Sequence, residues 1–274
     1  MAEQTILVTG STDGIGKATA RALAAQGHHV LLHGRDPEKG RRVLEELKAA
    51  TGSDRLPLFI ADLSVQERVR GLAEEIGGAY DRLDVLVNNA GVFMPEREVA
   101  PGGIETTFAV NFLAQVLLTH ELLPLLARSA PARVVNVASI AHRSVGSVEW
   151  GNLPGFSRYE PYEAYAVSKV GVIAFTARLA RALEGTGVTA NSLHPGVIDT
   201  KLLRAYIHGG NEGAPPERGA EVVTYLATSP EAGKVNGGYF EETRWTQPSS
   251  LAHDPGVQER FWEIGLERTG ISRW

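Results

Sequence analysis

The feature that most constrains this chain is an end-to-end alternation of short apolar runs with longer amphipathic stretches. Thr5 to Thr9, His29 to His33, Leu56 to Ala61, Leu83 to Val87, Arg133 to Ala138, Val188 to Leu193 and Gly238 to Phe240 are strand-like and apolar nearly throughout. Between them lie helical patterns over Lys17 to Gln26, Pro37 to Thr51, Val65 to Ile76, Gly103 to Arg128, Tyr162 to Glu184 and Pro216 to Ala227. Strands apolar on both faces must be covered on both faces, and strands that alternate with helices pair in parallel. Right-handed crossovers then wind the chain in both directions from a central strand. The expected fold class is therefore α/β: a doubly wound, Rossmann-type parallel sheet of about seven strands with helices on both faces. No linker or low-complexity segment divides the 274 residues, so a single domain is expected, with a core over 5–240 and a tail over 241–274. That tail carries Trp245, Pro248 and Trp262 and is expected to pack back on the core.

Composition narrows the function classes. The net charge is −5 and no Lys- or Arg-rich block occurs, so nucleic acid and anionic membrane surfaces are not expected partners. The chain has no cysteine, which removes disulfides, thiolate nucleophiles and cysteine-bound metals and fits a reducing cytoplasm. No apolar stretch is read as reaching the roughly 20 residues of a bilayer span, and the first strand begins at Thr5, so no membrane anchor is expected.

Two local patterns carry chemistry. Thr9-Gly10-Ser11-Thr12-Asp13-Gly14-Ile15-Gly16 joins the first strand to the first helix. Glycines there allow a tight turn and a close approach of backbone N–H groups to a pyrophosphate, with the helix dipole adding to the attraction. A plain strand-to-helix turn is the alternative. Further along, Tyr165 and Lys169 stand at i and i+4, on one face of a helix, and Ser139 ends an apolar run upstream. An ammonium beside a phenol favours the ionised form, so the tyrosine pKa is expected to fall. A tyrosine tuned that way exchanges a proton with a carbonyl or alcohol oxygen.

The glycine spacing, Asn88-Asn89-Ala90-Gly91, Ser139, Tyr165-x-x-x-Lys169 and Pro195-Gly196 resemble, in order and separation, the short-chain dehydrogenase/reductase family over about Thr5 to Phe240. A finer resemblance, to its retinol-dehydrogenase-like members, rests on Gly34-Arg35-Asp36-Pro37-Glu38-Lys39-Gly40, Asp62-Leu63-Ser64, His194-Pro195-Gly196-Val197-Ile198-Asp199-Thr200 and the segment from Tyr225 to Glu231. It continues in Gly238-Tyr239-Phe240 and in the tail from Gln247-Pro248 through Trp262 to Thr269-Gly270. The resemblance implies an oxidoreductase that moves a hydride between a nicotinamide cofactor and a carbonyl or alcohol, with Asn111, Ser139, Tyr165 and Lys169 as the catalytic set. Tyr165 would be the general acid or base, Ser139 a hydrogen-bond donor to the substrate oxygen, and Lys169 a contact to the nicotinamide ribose. Asn111 would hold a water linking the lysine to solvent. Gly10, Ser11, Thr12, Asp13, Gly14, Ile15 and Gly16 would hold the pyrophosphate, and Asp62 and Leu63 the adenine. Asn89, Ala90, Gly91, Pro195, Gly196 and Val197 would line the remaining cofactor surface, and Thr200 would bond the carboxamide. A helix cap is the other reading of Thr200.

Gly34 stands where an NAD-type member carries an aspartate for the ribose hydroxyls, and Arg35 follows it. A guanidinium clamps a phosphate through paired donors, so NADP(H) is preferred over NAD(H). The substrate is expected to be a small molecule, apolar by the finer resemblance. Assembly into a homo-oligomer is open. Of the eight histidines, His28, His29, His33, His142, His194, His208 and His253 show no metal-type pairing, so no metal site is expected. Ser139 lacks the G-x-S-x-G elbow of a hydrolase. A non-catalytic, NADP(H)-sensing regulator on the same fold is the alternative reading. Phe93, Trp150, Tyr159 and Tyr162 are candidates for the substrate pocket, and Gly196 to Pro216 reads as a long loop beside the site, a candidate lid.

Overall fold

The computed structural model describes residues 3–153, 156–207 and 213–274. The strands are β1 (Thr5–Val8), β2 (His29–Gly34), β3 (Leu58–Ile60), β4 (Val85–Asn88), β5 (Val99–Ala100), β6 (Ile104–Glu105), β7 (Ala132–Val137), β8 (Val188–His194), β9 (Tyr239–Glu241) and β10 (Arg244–Thr246). The helices are α1 (Gly14–Ala25), α2 (Pro37–Thr51), α3 (Gln66–Ala79), α4 (Thr106–Phe108), α5 (Ala114–Arg128), α6 (Pro161–Ala182), α7 (Lys201–Tyr206), α8 (Pro216–Thr228), α9 (Ser250–His253) and α10 (Pro255–Thr269). The central sheet runs β10-β9-β8-β7-β4-β1-β2-β3. Its strand order reverses between β1 and β4, the crevice where open α/β sheets bind ligands.

Alternate residues of each strand face opposite layers. Ile6, Val8, Val30, Leu32, Val85 and Val87 pack under α1, α2 and α8, while Leu7, Leu31, Leu86 and Val134 pack under α3, α5 and α6. Burial on both faces explains why these runs read as continuously apolar. The sheet has eight strands where about seven were expected. The extra one, β10, is antiparallel to β9, because the short turn after Glu241 admits only a hairpin.

The segment read as one helix from Gly103 is built differently. Gly102 and Gly103 take φ of 95° and 79°, a left-handed turn that closes the small β5–β6 hairpin. Glu105 then caps α4, accepting the Thr107 and Phe108 N–H groups at 2.7 and 2.8 Å. A π-helical turn over Ala109–Leu113 follows before regular helix resumes at α5. By length and composition Thr106–Arg128 could cross a bilayer, contrary to the sequence reading, yet 78% of its apolar window is buried inside the protein. It is a core helix.

The C-terminal segment packs against the helical layer of the core. α10 lies against α6 and α5, with Phe261 fully buried and its ring 5.5 Å from that of Phe112. Trp262 stacks on Phe175 at 5.7 Å. Trp245 departs from the expectation: it sits on the edge strand β10 and is 67% exposed. A Phe261→Ala substitution should cost about 3–5 kcal/mol of stability in a urea melt, since the aromatic cluster it fills cannot collapse onto the void.

Candidate active site

The loop between β1 and α1 is held by close backbone approach. Asp13 caps α1, its Oδ1 accepting the Gly14 N–H at 2.9 Å, so the helix starts at Gly14 and not at Lys17 as expected. Gly10 and Gly14 take φ of 67° and 48°. A Cβ on Gly16 would fall 2.3 Å from the Gly10 carbonyl oxygen and 2.4 Å from Asn89 Nδ2, so only glycine fits. The first-turn N–H groups of Ile15 and Gly16 have no acceptor one turn back and are available to an anion.

Neighbouring strand ends are stitched to this loop. Thr9 Oγ1 accepts the Asn89 and Ala90 N–H groups at 2.9 and 3.0 Å, and Asn89 Nδ2 donates to the Thr9 carbonyl at 2.8 Å. Asn88 acts on side chains instead, donating to Thr119 and Asn136, while Asn136 donates to Thr176. His33, unassigned from sequence, is the main fastener. The Gly10 N–H donates to His33 Nδ1 and His33 Nε2 bonds the Ala61 carbonyl, each at 3.1 Å. Burial pushes its imidazole down to about 4, with the Ala61 carbonyl pulling partly back, so the ring is neutral. No motif marks this role, since it depends on β2 lying between the loop and β3.

These elements surround a cavity of about 430 Å3 at the carboxyl ends of the strands. Gly10, Thr12, Asp13, Gly14, Ile15 and Gly16 line one end; Arg35, Asp62 and Leu63 lie beside them. Asn89, Ala90 and Gly91 form the floor, and Ser139, Tyr165 and Lys169 the far wall. Pro195, Gly196, Val197 and Thr200 close the side after β8. Two expected residues do not line it. Ser11 is fully buried and its hydroxyl is spent on the His33 backbone, accepting its N–H at 2.8 Å. Asn111 is also fully buried, in the π-helical turn; its Oδ1 accepts the Val92 N–H at 2.8 Å and its Nδ2 donates to the Val92 carbonyl at 2.9 Å. Its side chain therefore anchors the chain after β4 from behind Gly91 and does not project into the cavity.

Electrostatics correct one expectation. Burial pushes the Tyr165 phenol up to about 12; the Ser139 hydroxyl bonds it and pulls the other way, and Tyr206 adds to the rise. Burial also pushes Lys169 down to about 8. Its Nζ lies 5.6 Å from the Tyr165 ring centroid and donates to the Val137 carbonyl at 2.9 Å. Desolvation thus outweighs the attraction that was expected to lower the tyrosine, and both groups are mainly protonated at neutral pH. At the other end, burial favours a neutral Asp13, but Lys39 and Lys201, at 2.5 and 3.1 Å, overcome it and hold the carboxyl at about 2. Asp36 is turned into α2, accepting the Glu38 and Lys39 N–H groups, while Arg35 stays exposed at the rim.

Thr200 caps α7, accepting the Leu203 N–H at 3.2 Å. α7 carries Tyr206, which sequence alone did not single out; its ring lies 5.4 Å from Phe93, 4.9 Å from Tyr162 and 5.7 Å from Tyr165. Trp150 packs on Phe261 and the Tyr159 hydroxyl donates to the Met94 carbonyl, so those two are tied to the scaffold. Among the described residues no cluster of His, Asp or Glu could hold a metal. His208 and the middle of the candidate lid lie outside the described residues.

The family model described as short chain dehydrogenase matches residues 4–209, most of the chain. This protein belongs to the short-chain dehydrogenase family. As a member of it, the protein is a nicotinamide-dependent oxidoreductase acting on CH–OH or C=O groups. Among similar proteins, mouse (Mus musculus) polyprenol dehydrogenase is 39% identical over 96% of this chain and 83% of its own length. Human (Homo sapiens) retinol dehydrogenase 13 is 36% identical over 98% of this chain and 86% of its own. A short chain dehydrogenase structure from Escherichia coli CFT073, complexed with NADPH, superposes with a TM-score of 0.73 at 27% identity, covering 89% of this chain and 98% of that one. A Gly16→Ala variant of this dehydrogenase should lose about 1–3 kcal/mol of stability by overpacking the loop. It should also bind the reduced cofactor more weakly, read by urea melts and a fluorescence titration.

Proposed function

We propose that the protein reduces apolar aldehydes or ketones with NADPH, and runs the reverse oxidation with NADP, using Tyr165 as general acid and base. The observation that carries this reading is the convergence of Tyr165, Ser139 and Lys169 on one wall of the cavity whose other end is the glycine loop. The residues suit a dinucleotide. The loop has no Cβ at Gly16, its first-turn N–H groups face an anion site, and Lys169, buried and charged, has only the Val137 carbonyl as acceptor among the described residues. Its other two N–H groups suit ribose hydroxyls. When bound, the nicotinamide gives a hydride to the carbonyl carbon or takes one from the alcohol.

The chain's own part is the proton. Tyr165 donates its O–H proton to the carbonyl oxygen as charge grows there, and Ser139 supplies a second hydrogen bond to the same atom. The Lys169 charge across the ring steadies the phenolate that remains. Asn111 contributes by fixing Val92 and the floor at Gly91, which a Cβ would bring to 3.3 Å from Asn111 Oδ1.

The end of β2 supports NADP(H) over NAD(H). A Cβ on Gly34 would meet Thr12 Cγ2 at 2.6 Å, so a carboxylate for the ribose hydroxyls would have to displace the Thr12 side chain, and Arg35 offers a phosphate its guanidinium. The NADPH in the Escherichia coli structure supports the same choice. An apolar substrate is supported by Ile140, Val197, Leu202 and Tyr206 around the cavity and by relatives named for polyprenol and retinol.

NADPH consumption with aldehydes of rising chain length tests the activity. Tyr165→Phe should lower kcat by about 10²–10⁴-fold, and survival of the activity would refute the assignment. Arg35→Ala should cut the NADPH-to-NADH preference about tenfold, the worth of a charge-assisted hydrogen bond; an unchanged ratio would overturn the cofactor reading. In pH profiles, carbonyl reduction needs both groups protonated. Its kcat should be level near neutrality and fall as pH rises through about 8, where Lys169 loses its proton.

A further inference from the structure

His142 lies one turn beyond Ser139 and is fully buried beside the cavity wall. Its two ring nitrogens are both engaged. Nδ1 bonds the Ser139 carbonyl at 2.7 Å, and Nε2 accepts the Ser249 N–H at 3.0 Å. Because Ser249 N–H can only donate, Nε2 must be the acceptor and Nδ1 must carry the hydrogen, which assigns a neutral ring in one tautomer. Burial, which pushes its pKa below the ordinary imidazole value, favours that neutral form. The Tyr239 ring, 4.9 Å away and edge-on, holds the imidazole in plane.

This arrangement bears on the substrate oxygen. Ser139 is the extended residue that caps the 3-10 turn Ile140–Ser144, its hydroxyl accepting the Ala141 N–H at 3.2 Å. The direction left for its own O–H depends on how that turn is closed. The backbone closure is long, with His142 N–H to Ser139 carbonyl at 3.3 Å, and the ring bond at 2.7 Å is the stronger one. The far side of the ring is set by the C-terminal segment just before α9, where Arg143 adds contacts to Glu241 and to the Gln247 carbonyl.

We propose that His142 is a positioning residue that clamps Ser139 to the C-terminal segment at Ser249 and so aims the Ser139 hydroxyl at the substrate oxygen. This rests on the reading of Ser139 as the donor to that oxygen. It makes the segment after β10, which touches none of the reacting groups, part of what sets the turnover rate.

Substitutions separate the two bonds. His142→Asn keeps a donor at the Nδ1 position, and His142→Gln keeps an acceptor at the Nε2 position. With NADPH and decanal, His142→Ala and His142→Gln should lower kcat about ten- to a hundredfold, the cost of a donor displaced by an ångström or so, with KM for NADPH unchanged. His142→Asn, which keeps the Ser139 bond but gives up the Ser249 one, should lose kcat as well, because the clamp needs both bonds. Ser249 supplies a test that leaves the core intact. Its φ of −59° already suits proline, so Ser249→Pro deletes the N–H with little backbone strain, while Ser249→Ala keeps it. The proline variant should lose kcat and the alanine variant should not, at matched melting temperatures. Equal kcat in the two Ser249 variants, or His142 variants that all fall in step with melting temperature, would overturn the proposal. Tyr165→Phe runs alongside: if it stays active, the reading of the site has failed, whereas an inactive Tyr165→Phe with indifferent Ser249 variants sinks the clamp alone.

Discussion

A buried ammonium is the hardest group in this protein to accommodate, and the active-site wall is arranged around it. Lys169 is 3% exposed and has one acceptor among the described residues, the Val137 carbonyl at the end of β7. Removing such a charge from water costs several kcal/mol unless acceptors surround it. The Tyr165 ring face, the carbonyl edge of β7 and the floor at Gly91 supply part of that compensation, and the remaining N–H groups point into the cavity for a ligand to satisfy. Burial that lowers the lysine raises the tyrosine, so the pair is kept protonated together near neutrality. The wall is set for delivering a proton before it is set for taking one.

The rest of the cavity divides into a rigid part and a lightly held part. The rigid part is the crevice between β1 and β4, laced by Thr9 to Asn89, by Asn136 to Asn88 and Thr176, and by neutral His33 between the glycine loop and β3. These bonds are mostly buried, where an unmade partner costs about 1–3 kcal/mol, so they hold one geometry. The lightly held part is α7. Its tie to the glycine loop is the ion pair from Lys201 to Asp13, and Lys201 is 77% exposed, so solvent screens it and it is worth no more than about 1 kcal/mol. The packing of Leu202, Ala205 and Tyr206 on the cluster around Phe93 and Tyr165 supplies the remainder. A site built this way keeps the cofactor end fixed while its substrate side depends on a short, half-buried helix.

How much of this was legible in the sequence varies with the range of the interactions. Strands β1, β2, β4, β7 and β8 were readable because residues buried on both faces must all be apolar. The glycine loop was readable because close backbone approach leaves no other residue possible at Gly16. The hairpin before α4 was missed because Gly102 and Gly103 interrupt a segment whose apolar content otherwise fits a helix. Ser11 was assigned to the cofactor and Asn111 to a water beside Lys169 by their place in a motif, yet the Ser11 hydroxyl is spent on the β2 backbone and the Asn111 amide on Val92 and Ser168. His33, His142 and Tyr206 carry no motif at all, since the partners of His33 and Tyr206, and the Ser249 partner of His142, lie 22 or more residues away along the chain.

By itself, the sequence determined the layer architecture, the doubly wound parallel sheet, the family and the place of the ligand crevice, because these follow from apolar periodicity and from steric demands made by single residues on their neighbours. Only the tertiary structure decided the charge state of the Tyr165–Lys169 pair and the attachment of the C-terminal segment to Ser139. Spacing on a helix brings a phenol and an ammonium together and suggests attraction. Whether attraction or desolvation prevails depends on how completely β7, α6, α7 and the floor at Gly91 exclude water, and that is a property of the folded protein.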